Sequence, residues 1–365
     1  MNQENYRKLI SGQTSGLAAA LLRCFLRATS WSYLTGIVLR NFLYSKGWVK
    51  AHQVNATVIS VGNITAGGTG KTPLVIWLCK FLQQKGFRCA VLTRGYKTHT
   101  KKRATSDEQR ATRTDEPAIL TANCPQAKVI INPDRVDGAA EAIDKFGAQV
   151  LIMDDGFQHR RLARDVDIVA IDATRPFGYG KVLPAGLLRE PAAALKRADA
   201  VVITRCDQIS ESELTALEEK LRSANPNMLI AKSIHRPICA KSLGRKEIHL
   251  EELRNKNIFA FCGIANPDAF LNTIKDLGLN LVGSKFYNDH HHYTDDCLAD
   301  IYEEARYLSA DLILTTQKDW TKTALPARTK DIFFAYLVIE LKLLAGEDKL
   351  RGLIRDALAD KILQK

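Results

Sequence analysis

At 365 residues, with 46% hydrophobic and 25% charged side chains, the chain has an ordinary globular composition and is long enough for two domains. That balance excludes a disordered chain, and no low-complexity tract or internal repeat interrupts it. The net charge of +12 favours anionic partners and by itself leaves nucleic acid, an acidic membrane surface and a phosphorylated substrate open.

The N-terminal stretch, about 1–50, is apolar and basic at once. Its longest uncharged runs, Leu9–Leu22 and Ala28–Leu39, are too short to span a bilayer. A signal peptide is not indicated, because Ser, Gly, Gln and Thr dilute the first run and no clear cleavage site follows. Up to Ser60 seven Lys or Arg residues stand against the single acid Glu4. Helices here with Trp31, Tyr33, Leu34 and Leu43 on one side and arginines on the other suit the interface of an anionic leaflet. Packing on the core is the alternative, and the two are compatible.

Val58 to Thr72 reads VISVGNITAGGTGKT. Val58, Ile59 and Val61 predict a buried strand, the glycines a tight turn, and Pro73–Leu82 a helix. In a strand, loop and helix of this kind, Gly62, Asn63, Thr65, Gly67, Gly68, Thr69 and Gly70 let backbone N–H groups converge on phosphate oxygens. Lys71 reaches the terminal phosphates, and the Thr72 hydroxyl is a Mg²⁺ ligand. The expected ligand is a nucleoside triphosphate. The strict pattern has a glycine where Thr65 stands.

Downstream, strands are predicted at Arg88–Thr93, Lys128–Ile131, Gln149–Met153, Ile168–Ile171 and Ala200–Thr204, with helices at Asp134–Phe146 and Glu211–Ser223. Apolar strands alternating with helices predict an α/β fold: a P-loop NTPase-like parallel sheet with helices on both faces and ligands beyond the carboxyl ends of the strands. Asp154 and Asp155 follow an apolar strand, where a P-loop enzyme places the acid that holds Mg²⁺ or its water. One would serve the metal while its neighbour orients a ligand; a turn and helix cap is the plainer alternative. Val201-Val202-Ile203-Thr204-Arg205-Cys206-Asp207 faintly echoes the guanine-reading Asn-Lys-x-Asp, with both leading residues changed.

After the break at Asn225-Pro226-Asn227, strands at Ile258–Cys262, Leu281–Tyr287, Asp311–Thr315 and Ile332–Ile339 and helices at Pro267–Asp276 and Asp295–Leu308 predict a smaller C-terminal α/β domain. The expected division is 1–227 and 228–365, with the basic amphipathic N-terminal helices near a membrane. The eight cysteines include no C-x-x-C pair, which points to reduced thiols in a cytosolic compartment and to neither a disulfide framework nor a zinc site. Consecutive side chains in His290-His291-His292 diverge, so a shared metal ion is disfavoured.

Taken together, Val61-Gly62-Asn63 through Lys71-Thr72-Pro73, Arg94-Gly95-Tyr96, Asp115-Glu116-Pro117, Asp154-Asp155-Gly156-Phe157-Gln158-His159, Pro184 to Pro191 (PAGLLREP) and Asp289-His290-His291 resemble the tetraacyldisaccharide 4'-kinase family, the lipid A 4'-kinases. Thr315 to Asp319 sits near that family's late Thr-Glu-Lys-Asp segment. The resemblance runs from the N-terminal helices to about Asp319. It implies transfer of the γ-phosphoryl group of ATP, with Mg²⁺, to the 4'-hydroxyl of an acylated glucosamine disaccharide 1-phosphate, by a peripheral enzyme on the cytoplasmic face of the bacterial inner membrane.

The resemblance assigns the base to Asp115, assisted by His290. Because these lie in different halves of the chain, it also implies two domains closing over substrate about a hinge. Arg189 is the candidate for developing charge on the γ-phosphate, and Glu190 for a metal neighbour. Glu116 would order metal or substrate, with a plain surface charge the alternative for it and for Glu190; Gln158 and His159 would face the same cleft, with a helix start the alternative. Thr114 and Lys97 replace common glycines and Gln317 a common Glu. The first two bear on loop conformation and not on chemistry. The basic segment Lys97–Arg113, centred on Lys101-Lys102-Arg103, lacks any nucleic-acid module around it and reads by default as a solvated loop; with the basic N-terminus, anionic lipid or the substrate 1-phosphate is the sharper alternative. Acyl-chain preference and oligomeric state are not encoded legibly. The residues alone leave two competing classes open: a metal-insertion or regulatory GTPase, and a membrane-associated scaffold ATPase.

Overall fold

A computed structural model describes residues 3–95, 115–242, 244, 246–289, 291–323 and 332–363. Tyr96, the basic segment 97–113, Thr114 and His290 lie outside the described residues, as does the side chain of Asp115. Two compact units emerge: 3–234 together with 341–365, and 235–340.

In the first unit the strand ahead of the glycines is β1, Thr57–Gly62. It is followed by β2 (Cys89–Thr93), β3 (Lys128–Ile131), β4 (Val150–Asp154), β5 (Val166–Asp172), β6 (Ala200–Thr204) and β7, Leu229–Ser242, which runs on into the second unit. The order is β7-β6-β5-β1-β4-β2-β3, and every neighbouring pair is parallel. Strands β1, β4 and β5 are buried at every position, because both faces of the sheet are covered.

The two-residue period sorts side chains between those faces. Ile59, Val61, Val150, Ile152, Val166 and Ile168 pack with Leu74, Leu78 and Leu82 of the helix Lys71–Gln84, whereas Val58, Leu151 and Met153 pack with Ala139 and Ala142. The helix Glu347–Leu363 presents Leu350, Ile354 and Leu358 at four-residue spacing to the first of these faces, which is why the C-terminal residues group with the first unit. Strand β1 lies between β4 and β5, at the point where the chain switches from building one side of the sheet to building the other. The crevice beyond its carboxyl end is therefore the expected ligand position.

In the second unit four parallel strands stand in the order Asn280–Phe286, Asn257–Cys262, Leu312–Thr316 and Phe333–Ala345, the last of which continues into the first unit. Helix Pro267–Asp276 covers one face through Phe270 and Ile274, and Asp295–Tyr307 covers the other through Leu298, Ile301 and Ala305.

Two helices precede β1: α1, Gln3–Ser11, and α2, Leu17–Ser45, which is 29 residues and about 43 Å long. The face expected from the sequence is not a single face. Leu34 and Leu43 are half-buried, while Leu17, Leu21, Phe25, Trp31, Val38 and Phe42 are exposed and recur at helical spacing. Arg40 departs from the outward arginine set, because it turns inward to the buried Glu190. Among the described residues no helix is long and apolar enough to cross a membrane.

Candidate active site

Strand β1 ends at Gly62, the chain turns, and α3 (Lys71–Gln84) begins directly after Gly70. Gly67 (φ 130°) and Gly70 (φ 83°) occupy the left-handed side of backbone space, where a side chain is strained. Thr65 is not among the positive-φ positions, so the loop needs no glycine there. It forms a bridge with Leu188, and the Ala66 N–H donates to the Leu187 carbonyl at 2.7 Å. Asn63 spans the loop from within: its amide donates to Thr69 Oγ1 at 3.1 Å and to the Gly67 carbonyl at 3.4 Å.

Gly62 has a different reason to be glycine. A Cβ there would lie 2.5 Å from both the backbone N and the Cβ of Phe157, in the turn after β4. Gly62→Ala is accordingly expected to lower stability by about 1–3 kcal/mol, the usual cost of overpacking, and to weaken nucleotide binding by pushing the loop away from that turn. Thermal melts with and without ATP check both effects.

The adjacent acids divide. Asp155 (φ 54°) turns toward the loop, where Lys71 Nζ lies 3.3 Å from Oδ1 and one Arg189 nitrogen lies 2.9 and 2.8 Å from its two oxygens. Burial alone would raise its pKa, but Lys71 and Arg189 outweigh burial and hold it well below the usual carboxylate range. Asp154, 3% exposed, has a distant donor in Thr93 Oγ1 at 3.4 Å. Burial first, then Glu116 and Asp155, push its pKa up to about 7. Glu116 thus belongs to the same acidic neighbourhood, on the first turn of the helix Asp115–Asn123.

Asp154 is a buried carboxylate whose acidic neighbours Glu116 and Asp155 are only partly offset by Lys71 and Arg135, so it is the place in this cluster where a divalent cation would relieve charge. Thr72 lies two residues into the neighbouring α3, and Mg²⁺ needs only one or two protein oxygens when phosphates complete its shell. Asp154 and Thr72 fit such an ion, whereas Asp155 is taken up by its two cations. The sign of the pH effect follows. Asp154 holds its proton more tightly folded than unfolded, so between about pH 4 and 7 the folded state binds more protons and stability falls as pH rises. Asp154→Asn should flatten that slope in urea titrations at stepped pH.

Two further expected site residues have protein partners. Glu190, read as a metal neighbour, is fully buried and saturated: Arg40 (2.7 Å), Arg197 (2.9 Å) and the Asn41 amide (3.1 Å) take its oxygens. Gln158, read as facing substrate, donates to the Asn63 carbonyl at 2.7 Å and so supports the loop from behind. His159 is half-buried and kept toward its neutral form by burial and then by Arg135. The polar groups that sequence reasoning missed include Thr93, which opposes Asp154, the buried Arg135, which donates to the Asp154 carbonyl, and Thr204 and Arg205 on the far side of the loop; the faint Asn-Lys-x-Asp echo was the signal for the last two.

Helix α2 docks beside this site. Ser30 donates to the Val182 carbonyl and accepts from the Ala185 N–H, both at 2.9 Å, and the Tyr33 hydroxyl donates to the Arg189 carbonyl at 3.0 Å. Between α2 and residues 177–192 lies a cavity of about 540 Å³ whose lining includes Trp31, Leu34 and Leu188, with Arg27, Lys181 and Lys220. In the second unit His291 stacks on Tyr287 (4.4 Å between ring centres), and Asp289 pairs with Lys318 at 3.1 Å.

The family model for tetraacyldisaccharide-1-P 4'-kinase (LpxK) matches residues 22–359. The tetraacyldisaccharide 4'-kinase of Anaeromyxobacter sp. (strain Fw109-5) is 38% identical over 360 residues, covering 95% of each chain. That of Syntrophus aciditrophicus (strain SB) is 39% identical over 331 residues, covering 87% of this chain and 88% of its own. Among solved structures, LpxK from Aquifex aeolicus in complex with ATP superposes with a TM-score of 0.69 at 29% identity, covering 92% of this chain and 99% of the other.

Proposed function

Since the chain belongs to the tetraacyldisaccharide 4'-kinase family and is therefore an ATP-dependent lipid A 4'-kinase, we propose a division of labour among its residues for that transfer. The family assignment favours neither the regulatory GTPase nor the scaffold ATPase. The observation that carries the proposal is the convergence of Lys71, Asp155 and Arg189 at the mouth of the glycine loop, with Asp154 buried behind.

Phosphoryl transfer demands little covalent participation from protein, so positioning and charge neutralisation dominate. The amides of 62–72 and Lys71 bind the β- and γ-phosphates, and Arg189 meets charge developing on the transferred group. Asp155 aims both cations, and its pairing with them is what a triphosphate competes for. Thr72 and Asp154 would hold Mg²⁺, which would supply charge neutralisation to the triphosphate. Asp115 accepts the proton of the 4'-hydroxyl, with His290 assisting.

The exposed apolar row of α2 lies in the interfacial layer of an anionic leaflet, at the cytoplasmic face of the inner membrane. The neighbouring cavity, apolar with basic side chains, receives part of the acylated disaccharide 1-phosphate. The test is incubation of purified protein with ATP, Mg²⁺ and the acylated disaccharide 1-phosphate, followed by mass spectrometry. A gain of one phosphate on the lipid supports the reading; ATP consumption with unaltered lipid overturns it.

A further inference from the structure

Thr204 and Arg205 end β6 and begin the next turn, and both are buried. Each donates to a carbonyl of the phosphate loop: Thr204 Oγ1 to Thr69 O at 3.0 Å, and an Arg205 guanidinium nitrogen to Gly68 O at 3.1 Å. The same guanidinium pairs with Asp172 at the end of β5. Asp172 is itself fixed, since its other oxygen accepts from the Thr174 N–H (3.0 Å) and hydroxyl (2.8 Å). Arg205 adopts φ 57°, a left-handed conformation that a long side chain keeps only where its surroundings determine it.

The placement has a consequence for the anion site. In a trans peptide the C=O and N–H point in opposite directions. A loop that binds phosphate must turn its N–H groups inward, so its carbonyls face outward and require donors there. Glycines at 67, 68 and 70 make peptide flips easy, and each flip would aim a carbonyl oxygen at the anion. Holding the Gly68 and Thr69 carbonyls outward aims the Thr69 and Gly70 N–H groups the other way, toward the phosphates.

We propose that Arg205, anchored by Asp172 and acting with Thr204, is a positioning residue for ATP: it fixes the orientation of two consecutive peptide units of the phosphate loop without touching the nucleotide. The segment that echoes a guanine-reading motif thus serves the phosphates from outside. This rests on the reading that 62–72 holds the triphosphate.

The test compares full-length wild type with Thr204→Val, Arg205→Met and Arg205→Lys, measuring ATP affinity by calorimetry, KM for ATP and for lipid, kcat and the thermal midpoint. Arg205→Met should weaken ATP binding and raise its KM by about tenfold or more with lipid KM unchanged, because charge-assisted hydrogen bonds that fix the loop are lost. Arg205→Lys should recover part of that loss. Thr204→Val, nearly isosteric and safe for folding, should show a smaller effect of the same kind. Wild-type ATP affinity in both Thr204→Val and Arg205→Met would overturn the proposal, as would parallel rises in both KM values with a lowered thermal midpoint. Absence of ATP binding by wild type would instead remove the nucleotide site itself, and the brace with it.

Discussion

Asp115→Ala is expected to reduce lipid phosphorylation by about 10²- to 10⁴-fold while ATP still binds, the range that loss of a positioned general base produces. The two readouts separate because the groups assigned to ATP, the loop amides and Lys71, lie in 62–72 and include no atom of Asp115. A sugar hydroxyl is a poor nucleophile until its proton has somewhere to go, so the defect should fall on kcat. Asp115→Asn, which keeps the shape and removes the basic oxygen, should match the alanine variant. His290→Ala should cost less, since an assisting imidazole orients the base and does not take the proton first. Radiolabel transfer from ATP to lipid, paired with calorimetry, reads both quantities; normal turnover by Asp115→Ala would remove the base assignment and leave the kinase intact.

Lys71→Ala is expected to damage binding and transfer together. One charge-assisted contact to phosphate, worth about 1.5–3 kcal/mol, corresponds to roughly 10- to 150-fold in ATP affinity. A further loss in kcat of about 10²-fold should follow, because the charge that Lys71 neutralises grows in the transition state. The fold should survive, since Asp155 keeps its contact to Arg189 at 2.8 and 2.9 Å when the lysine is gone. An unchanged thermal midpoint with lost ATP affinity is the expected signature. If instead ATP bound normally, Lys71 would be only the counter-ion of Asp155.

Much of the frame is legible in the order of residues alone. Lys128–Ile131, Ala200–Thr204 and Pro267–Asp276 stand where the pattern of apolar residues and breakers put them. Most others moved by a residue or two at an end, whereas the last strand runs to Ala345, well beyond the expected Ile339. The longest elements that escaped are the helix Asp115–Asn123, strand β7 and the helix Glu347–Leu363. Strand β7 carries Pro237 and several charged residues, and alternates buried with half-exposed positions only because of what covers it.

The amino-acid sequence by itself determined the parallel sheet, the phosphate loop and the order of motifs along the chain. These rest on local physics: period-two burial, the glycine backbone at 67 and 70, and the lysine and threonine that open α3. Only the tertiary structure decided which of two adjacent acids is bound to cations and which is buried with a raised pKa, that Glu190 answers to Arg40 from 150 residues away, and that Arg205 reaches Gly68 across 137. A carboxylate or guanidinium takes its chemistry from the charges and donors within a few ångströms. Those neighbours are assembled by folding, and no spacing along the chain records them.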